Sequence, residues 1–181
     1  DKPQKTLVVG NAGRLNRQKG QHLFLQLGSL MKTELSDFRL VIAGAGERES
    51  ELKELSERLG LGSQVIFTGF LENMSPFWNE IDLFVLTSPW EGFGYVVLEA
   101  MLAEKPVLAC GVSNIPELVH DGENGWLFPL PQEERLYSPE EPTTRCEADW
   151  QKEEHPLQAM ARAVVRLAED PELGAAMGRA G

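Results

Sequence analysis

Short runs of β-branched and aliphatic residues alternate with longer segments of helical periodicity along most of the chain, and no other feature restricts its fold as much. The runs at 6–10, 39–43, 65–68, 83–86, 107–110 and 126–128 read as six strands. Between the first two, residues 21–32 place Leu23, Leu27, Leu30 and Met31 on one helical stripe, and 47–59 does the same with Leu52, Leu55 and Leu59. Gly60 and Gly62 permit a left-handed cap that closes this second helix. Residues 157–169 carry Met160, Val164 and Leu167 on a further stripe, and another helix opens at Pro171. Strand and helix in alternation predict an α/β fold, a doubly wound parallel sheet of about six strands with helices on both faces.

The 181 residues, 42% of them hydrophobic, suffice for one domain with a substantial core. Seventeen basic against 28 acidic side chains give a net charge of −11. That balance argues against nucleic acid or an anionic membrane surface as the main partner, so any bound anion must be held by local groups. No apolar run approaches the length of a membrane span, no secretion signal precedes the first strand, and Cys110 and Cys146 match neither a redox pair nor a metal-ligand spacing. The expectation is a soluble cytoplasmic protein, excised from a longer chain because it lacks an initiator methionine. Residues 131–156 differ from the rest, with four prolines and eight acidic against three basic side chains. They are expected to form a mobile acidic surface insertion, dispensable for ligand binding.

Two segments offer chemistry. The glycine-rich turn at 10–20 carries Arg14, Arg17 and Lys19 ahead of a helix, and in an open α/β sheet such a turn lies at the ligand-binding edge. Arg14 and Lys19 suit a diphosphate, one as a planar fork and the other as a point charge; the plainer alternative is that all three cations are solvated. Neither Gly10 with Gly13 nor Gly44 with Gly46 completes a dinucleotide fingerprint, since Glu49 stands where a third glycine belongs, and no phosphate loop of the GxxxxGK[ST] type is present.

The stronger segment is 88–101, where Glu91 and Glu99 are separated by seven residues. A helix starting near Gly94 aims its first N–H groups at any anion placed there. Helical side chains tilt toward the N-terminus, so Glu99 reaches back toward the end at which Glu91 lies. Beside a phosphate, carboxylates must face hydroxyls, which a sugar and a ribose provide. Glu99 is the only charged residue from Tyr95 to Ala103 and is expected to be buried. Charge complementarity with the helix end is the simpler account of Glu91.

In this order, GRLNRQKG, VIFTGF, EGFGYVVLEAM and IPELVHDGENGWL resemble the nucleotide-sugar-binding half of a retaining glycosyltransferase of the GT-B type, family 4, over residues 5–130 and 157–181. The resemblance implies a Rossmann-like domain that binds a nucleoside-diphosphate sugar. It assigns Glu91 to the donor-sugar hydroxyls, Glu99 to the ribose, and Arg14 and Lys19, beside Gly13, to the diphosphate. Amides near Phe93, Gly94 and Tyr95 would meet sugar and phosphates, and backbone at Gly69 and Phe70 would line the base. It implies no cofactor and no metal, and an N-terminal acceptor domain, absent here, that leaves room for peripheral membrane contact. The chain departs from the family pattern at Ser113 and Asn114, where two glycines are usual, and at Glu104, where one is common.

The implied reaction transfers a sugar to an acceptor, a glycan or glycolipid, with retention at the anomeric carbon. Arg14, Lys19 and the helix end would stabilise the departing diphosphate, and Glu91 would position the sugar. The rivals are an epimerase or phosphorylase of the same architecture and a noncatalytic interaction module.

Overall fold

The computed structural model describes residues 6–137 and 154–181. Its strands are β1 (Leu7–Ala12), β2 (Phe38–Ala43), β3 (Val65–Gly69), β4 (Leu83–Leu86), β5 (Val107–Cys110) and β6 (Gly125–Phe128). Its helices are α1 (Gln21–Met31), α2 (Glu49–Arg58), α3 (Ser75–Glu80), α4 (Tyr95–Leu102), α5 (Ile115–Leu118), α6 (Pro156–Glu169) and α7 (Pro171–Ala180). The six strands form one sheet in the order β3-β2-β1-β4-β5-β6, every pair parallel. Strand order reverses between β1 and β4, and there the connections leaving the two strands diverge and open a crevice at their carboxyl ends.

Aliphatic strands buried on both faces explain the sheet. β4, β5 and β6 are buried throughout, whereas edge strand β3 is only half-buried. α1 packs against α6 and α2, and Phe24, Leu27 and Met31 join Leu40, Ile42, Phe84, Met160 and Val164 in a single core. Each such side chain contributes about 1.5–3 kcal/mol by leaving water. Among the described residues no helix is long and apolar enough to cross a membrane.

Differences from the sequence expectation are local. β1 runs on to Ala12 because Asn11 and Ala12 pair with Ile42 and Ala43. α3 and α5 have no counterpart in the sequence reading: six and four residues long, with proline in the first turn, they show too little periodicity to register. Glu104 and Ser113, both noted as departures from glycine, have φ of 53° and 52°. Those positions require a left-handed backbone, which a non-glycine residue adopts at a cost of about 1–3 kcal/mol. The start of the 131–156 segment corrects the expectation of a surface insertion. Gln132–Tyr137 forms a 3-10 helix and Glu134 is buried. Of the remainder of the expected mobile stretch, 138–153 lies outside the described residues and Pro156 opens α6.

The carboxyl ends of β1 and β2 meet through backbone at Gly44, whose φ is 140°. A Cβ there would stand 2.0 Å from the Gly13 carbonyl oxygen. Gly44→Ala is expected to destabilise the chain by roughly 2–4 kcal/mol. Gly92→Ala meets open space and should change stability by less than about 1 kcal/mol. Urea denaturation of both variants checks the contrast.

Candidate donor-binding site

The loops after β1, β2, β3 and β4 enclose a cavity of about 770 Å³ at the carboxyl edge of the sheet. Gly13, Arg14, Lys19, Phe70, Glu91, Phe93, Gly94, Tyr95 and Glu99 all line it, so most of the residues singled out from sequence converge on one place. Gly69 does not line it; its carbonyl accepts from the Gly44 N–H at 2.9 Å and ties the β3 loop to the β2 loop. Ala43, Leu71 and Met74 also line the cavity, and no motif pointed to them.

The β1 loop owes its shape to a 3-10 turn, Arg17–Lys19, between Asn16 and Gly20. Asn16 caps the turn by accepting from the Lys19 amide at 3.1 Å. Gly20 ends it with φ of 64°, and a Cβ on that glycine would lie 2.1 Å from the Thr87 carbonyl oxygen. Two bonds stitch the turn to the β4 loop: Thr87 Oγ1 donates to Gly20 O at 2.9 Å, and Gln18 Nε2 donates to Trp90 O at 3.3 Å.

Lys19 Nζ reaches across the cavity floor and donates to both oxygens of Glu91, at 2.8 and 2.7 Å. The Glu91 side chain is 4% exposed, so the cation balances a carboxylate that would otherwise be stranded away from water. Arg14 is 71% exposed and lies 3.4 Å from Glu47, a pair worth little in solvent. Glu99 reverses the burial expected of it. α4 buries Val97, Ala100 and Met101, while Tyr95, Glu99 and Leu102, spaced as one helical stripe, face outward. An apolar helix sequence was mistaken for a helix buried all round.

Ser113 and Asn114 fix the loop that carries Glu91. The Glu91 amide donates to Ser113 Oγ at 3.2 Å, and Asn114 Nδ2 donates to Phe93 O at 2.6 Å. A pair of glycines makes neither bond, so the departure from the family pattern replaces conformational freedom with side-chain tethers. Gly94 then precedes α4 with no side chain capping the helix, leaving its first amides directed at the cavity.

Behind the turn lies a second ionic group. Glu134 accepts from Arg17 Nη2 with both oxygens, at 2.8 and 3.0 Å, and lies 2.9 Å from His22 Nε2. Arg48 Nη1 lies 3.4 Å from His22 Nδ1. A guanidinium only donates, so Nδ1 is the acceptor and Nε2 carries the proton toward Glu134. In that tautomer the ring is neutral.

The model of the family "Glycosyl transferases group 1" matches residues 1–138. The chain belongs to that family. This group 1 chain is 37% identical over 119 residues to the lipopolysaccharide core biosynthesis mannosyltransferase LpsB of Rhizobium meliloti, covering 63% of the chain and 34% of that protein. It is similar to HepE of Anabaena, solved in complex with UDP-glucose, with a TM-score of 0.76 and 28% identity over 97% of the chain and 42% of that structure. The C-terminal domain of the group 1 family protein LpcC from Francisella tularensis matches with a TM-score of 0.73 and 25% identity, covering 96% of the chain and 81% of that domain. The chain spans about a third of the length of the curated relatives it matches.

Sequence reasoning in this group 1 chain missed Gln18 and Glu134, and it missed the bonds that Ser113 and Asn114 make. Each acts across a gap of tens of residues, and no local spacing announces that. His22 yields a pH test. Burial, the largest influence, holds its pKa below the ordinary 6.5, outweighing the bond to Glu134. The folded chain then binds fewer protons at His22 than the unfolded chain, so stability is full above about pH 6.5 and is lost as pH falls. Denaturation curves between pH 7 and 5 should show that slope, at most about 1.4 kcal/mol per pH unit, and His22→Gln should flatten it. An unchanged slope would remove His22 as its source.

Proposed function

We propose that this chain is the donor-binding part of a retaining, metal-independent glycosyltransferase of the GT-B type, family 4, acting in the cytoplasm on a nucleoside-diphosphate sugar. The observation that carries the reading is the convergence of Lys19, Glu91, Arg14, Glu99 and the uncapped end of α4 on one cavity. Cations and free amides suit a diphosphate, and carboxylates a few ångströms away suit the hydroxyls of a sugar and a ribose. The UDP-glucose bound by HepE and the mannosyl transfer named for LpsB support the same class of substrate.

In this reading Arg14 and Lys19 hold the diphosphate and stabilise charge as it departs, helped by amides at Phe93, Gly94 and Tyr95. Glu91 orients the transferred sugar and Glu99 holds the ribose, with Phe70 and backbone at Gly69 beside the base. In a front-face substitution the leaving phosphate takes the acceptor proton. The acceptor, a glycan or glycolipid, belongs to an N-terminal domain of the longer protein, and the isolated chain binds donor without transferring it.

The resting pair of Lys19 and Glu91 sharpens the test. Glu91→Gln frees Lys19, so binding of the bare diphosphate should hold or tighten while the sugar nucleotide loses one charged contact. The ratio of the two affinities is expected to fall by roughly 10- to 100-fold, the equivalent of about 1.5–3 kcal/mol. Glu99→Gln should weaken both ligands equally. Calorimetric titration with UDP, GDP and ADP and their sugars, in EDTA, decides between these outcomes. Equal losses for both ligands in the Glu91 variant refute its assignment to the sugar, and no binding of any ligand in EDTA refutes the metal-independent reading.

A further inference from the structure

The turn that carries Lys19 is gripped by two buried carboxylates. Lys19 faces Glu91 inside the cavity, and two residues earlier Arg17 faces Glu134 outside it. Glu134 comes from the 3-10 helix that follows β6, more than one hundred positions along the chain, and does not line the cavity. Its side chain is 5% exposed, and it meets both Arg17 and His22, the latter in the first turn of α1. Arg48, itself bound to Glu51, closes the far side of His22. A carboxylate taken this far from water is retained only with its partners in place, so the turn and the start of α1 are fixed relative to the chain leaving β6.

We propose that Glu134 is a positioning residue for Lys19. It acts through Arg17 and His22 to hold the 3-10 turn in register, and the beginning of the acidic segment is thereby part of the donor site's support. The inference rests on the reading that Lys19 meets the donor diphosphate, and the test separates the two.

The first measurement needs no ligand. The Lys19 amide is bonded to Asn16, so its hydrogen exchange reports opening of the turn. Glu134→Gln should speed that exchange roughly tenfold, whereas Glu133→Gln, which alters an exposed contact to His155, should not. Unchanged exchange at Lys19 overturns the proposal. The second measurement is a double-variant cycle with UDP, GDP and ADP as probes. Glu134→Gln should weaken the diphosphate several-fold, and adding Lys19→Ala should cost less than it does alone, by at least about threefold. Additive losses also overturn the proposal. If Glu134→Gln does not fold, Arg17→Gln cuts the same contact from its more exposed side. Should Lys19→Ala alone leave diphosphate affinity unchanged, the diphosphate reading falls while the exchange measurement still decides whether Glu134 positions the turn.

Discussion

Everything at the site depends on the pairing of β1 with β4, a contact only two residues long: Val9 beside Leu83 and Gly10 beside Phe84. Each strand's remaining neighbours lie on its other side, so the loops that leave β1 and β4 cannot pack over one another and must part. Just beyond the last paired residues, Asn11 Nδ2 donates to Val85 O at 2.8 Å, in the dry interior. Thr87 and Gln18 then continue the seam outward as side-chain bonds. The sheet provides the crevice, and these three bonds set its width.

Charge is distributed along that seam unevenly. With a net charge of −11 the chain has little general attraction for an anion, yet two of its carboxylates, Glu91 and Glu134, are taken out of water. Each is matched to a cation from the same three-residue turn. Burying a charge costs several kcal/mol unless its partner is well placed, so the turn is specified by both sides together. Arg14, in contrast, projects into solvent against Glu47.

The fold was legible because parallel strands covered on both faces leave a strong mark. β4 and β5 were read without error, and the remaining strands to within two residues. α3 and α5 escaped because one or two helical turns carry no period. Loop position and residue type singled out Lys19 and Glu91, but not that they bind each other. Glu99 was misjudged because hydrophobic neighbours in sequence are not neighbours in space: Leu102, one turn away, is 86% exposed. Glu134 sat in a stretch whose composition spoke for disorder, and a single buried residue does not alter a composition. Ser113 and Asn114 were visible as departures, yet their bonds to Glu91 and Phe93 required coordinates.

The union of Lys19 with Glu91 bears on which molecules the cavity admits. An anion that draws Lys19 away leaves a carboxylate unsatisfied in a dry setting, and so gives back much of what it gained. Inorganic phosphate has no hydroxyl-bearing ring with which to repair that loss. A sugar nucleotide brings both halves of the exchange, phosphate for the ammonium and ring hydroxyls for the carboxylate. On the reading proposed here, the resting ion pair is therefore a filter on entry, opened at low cost only by a ligand able to replace both of its members at once.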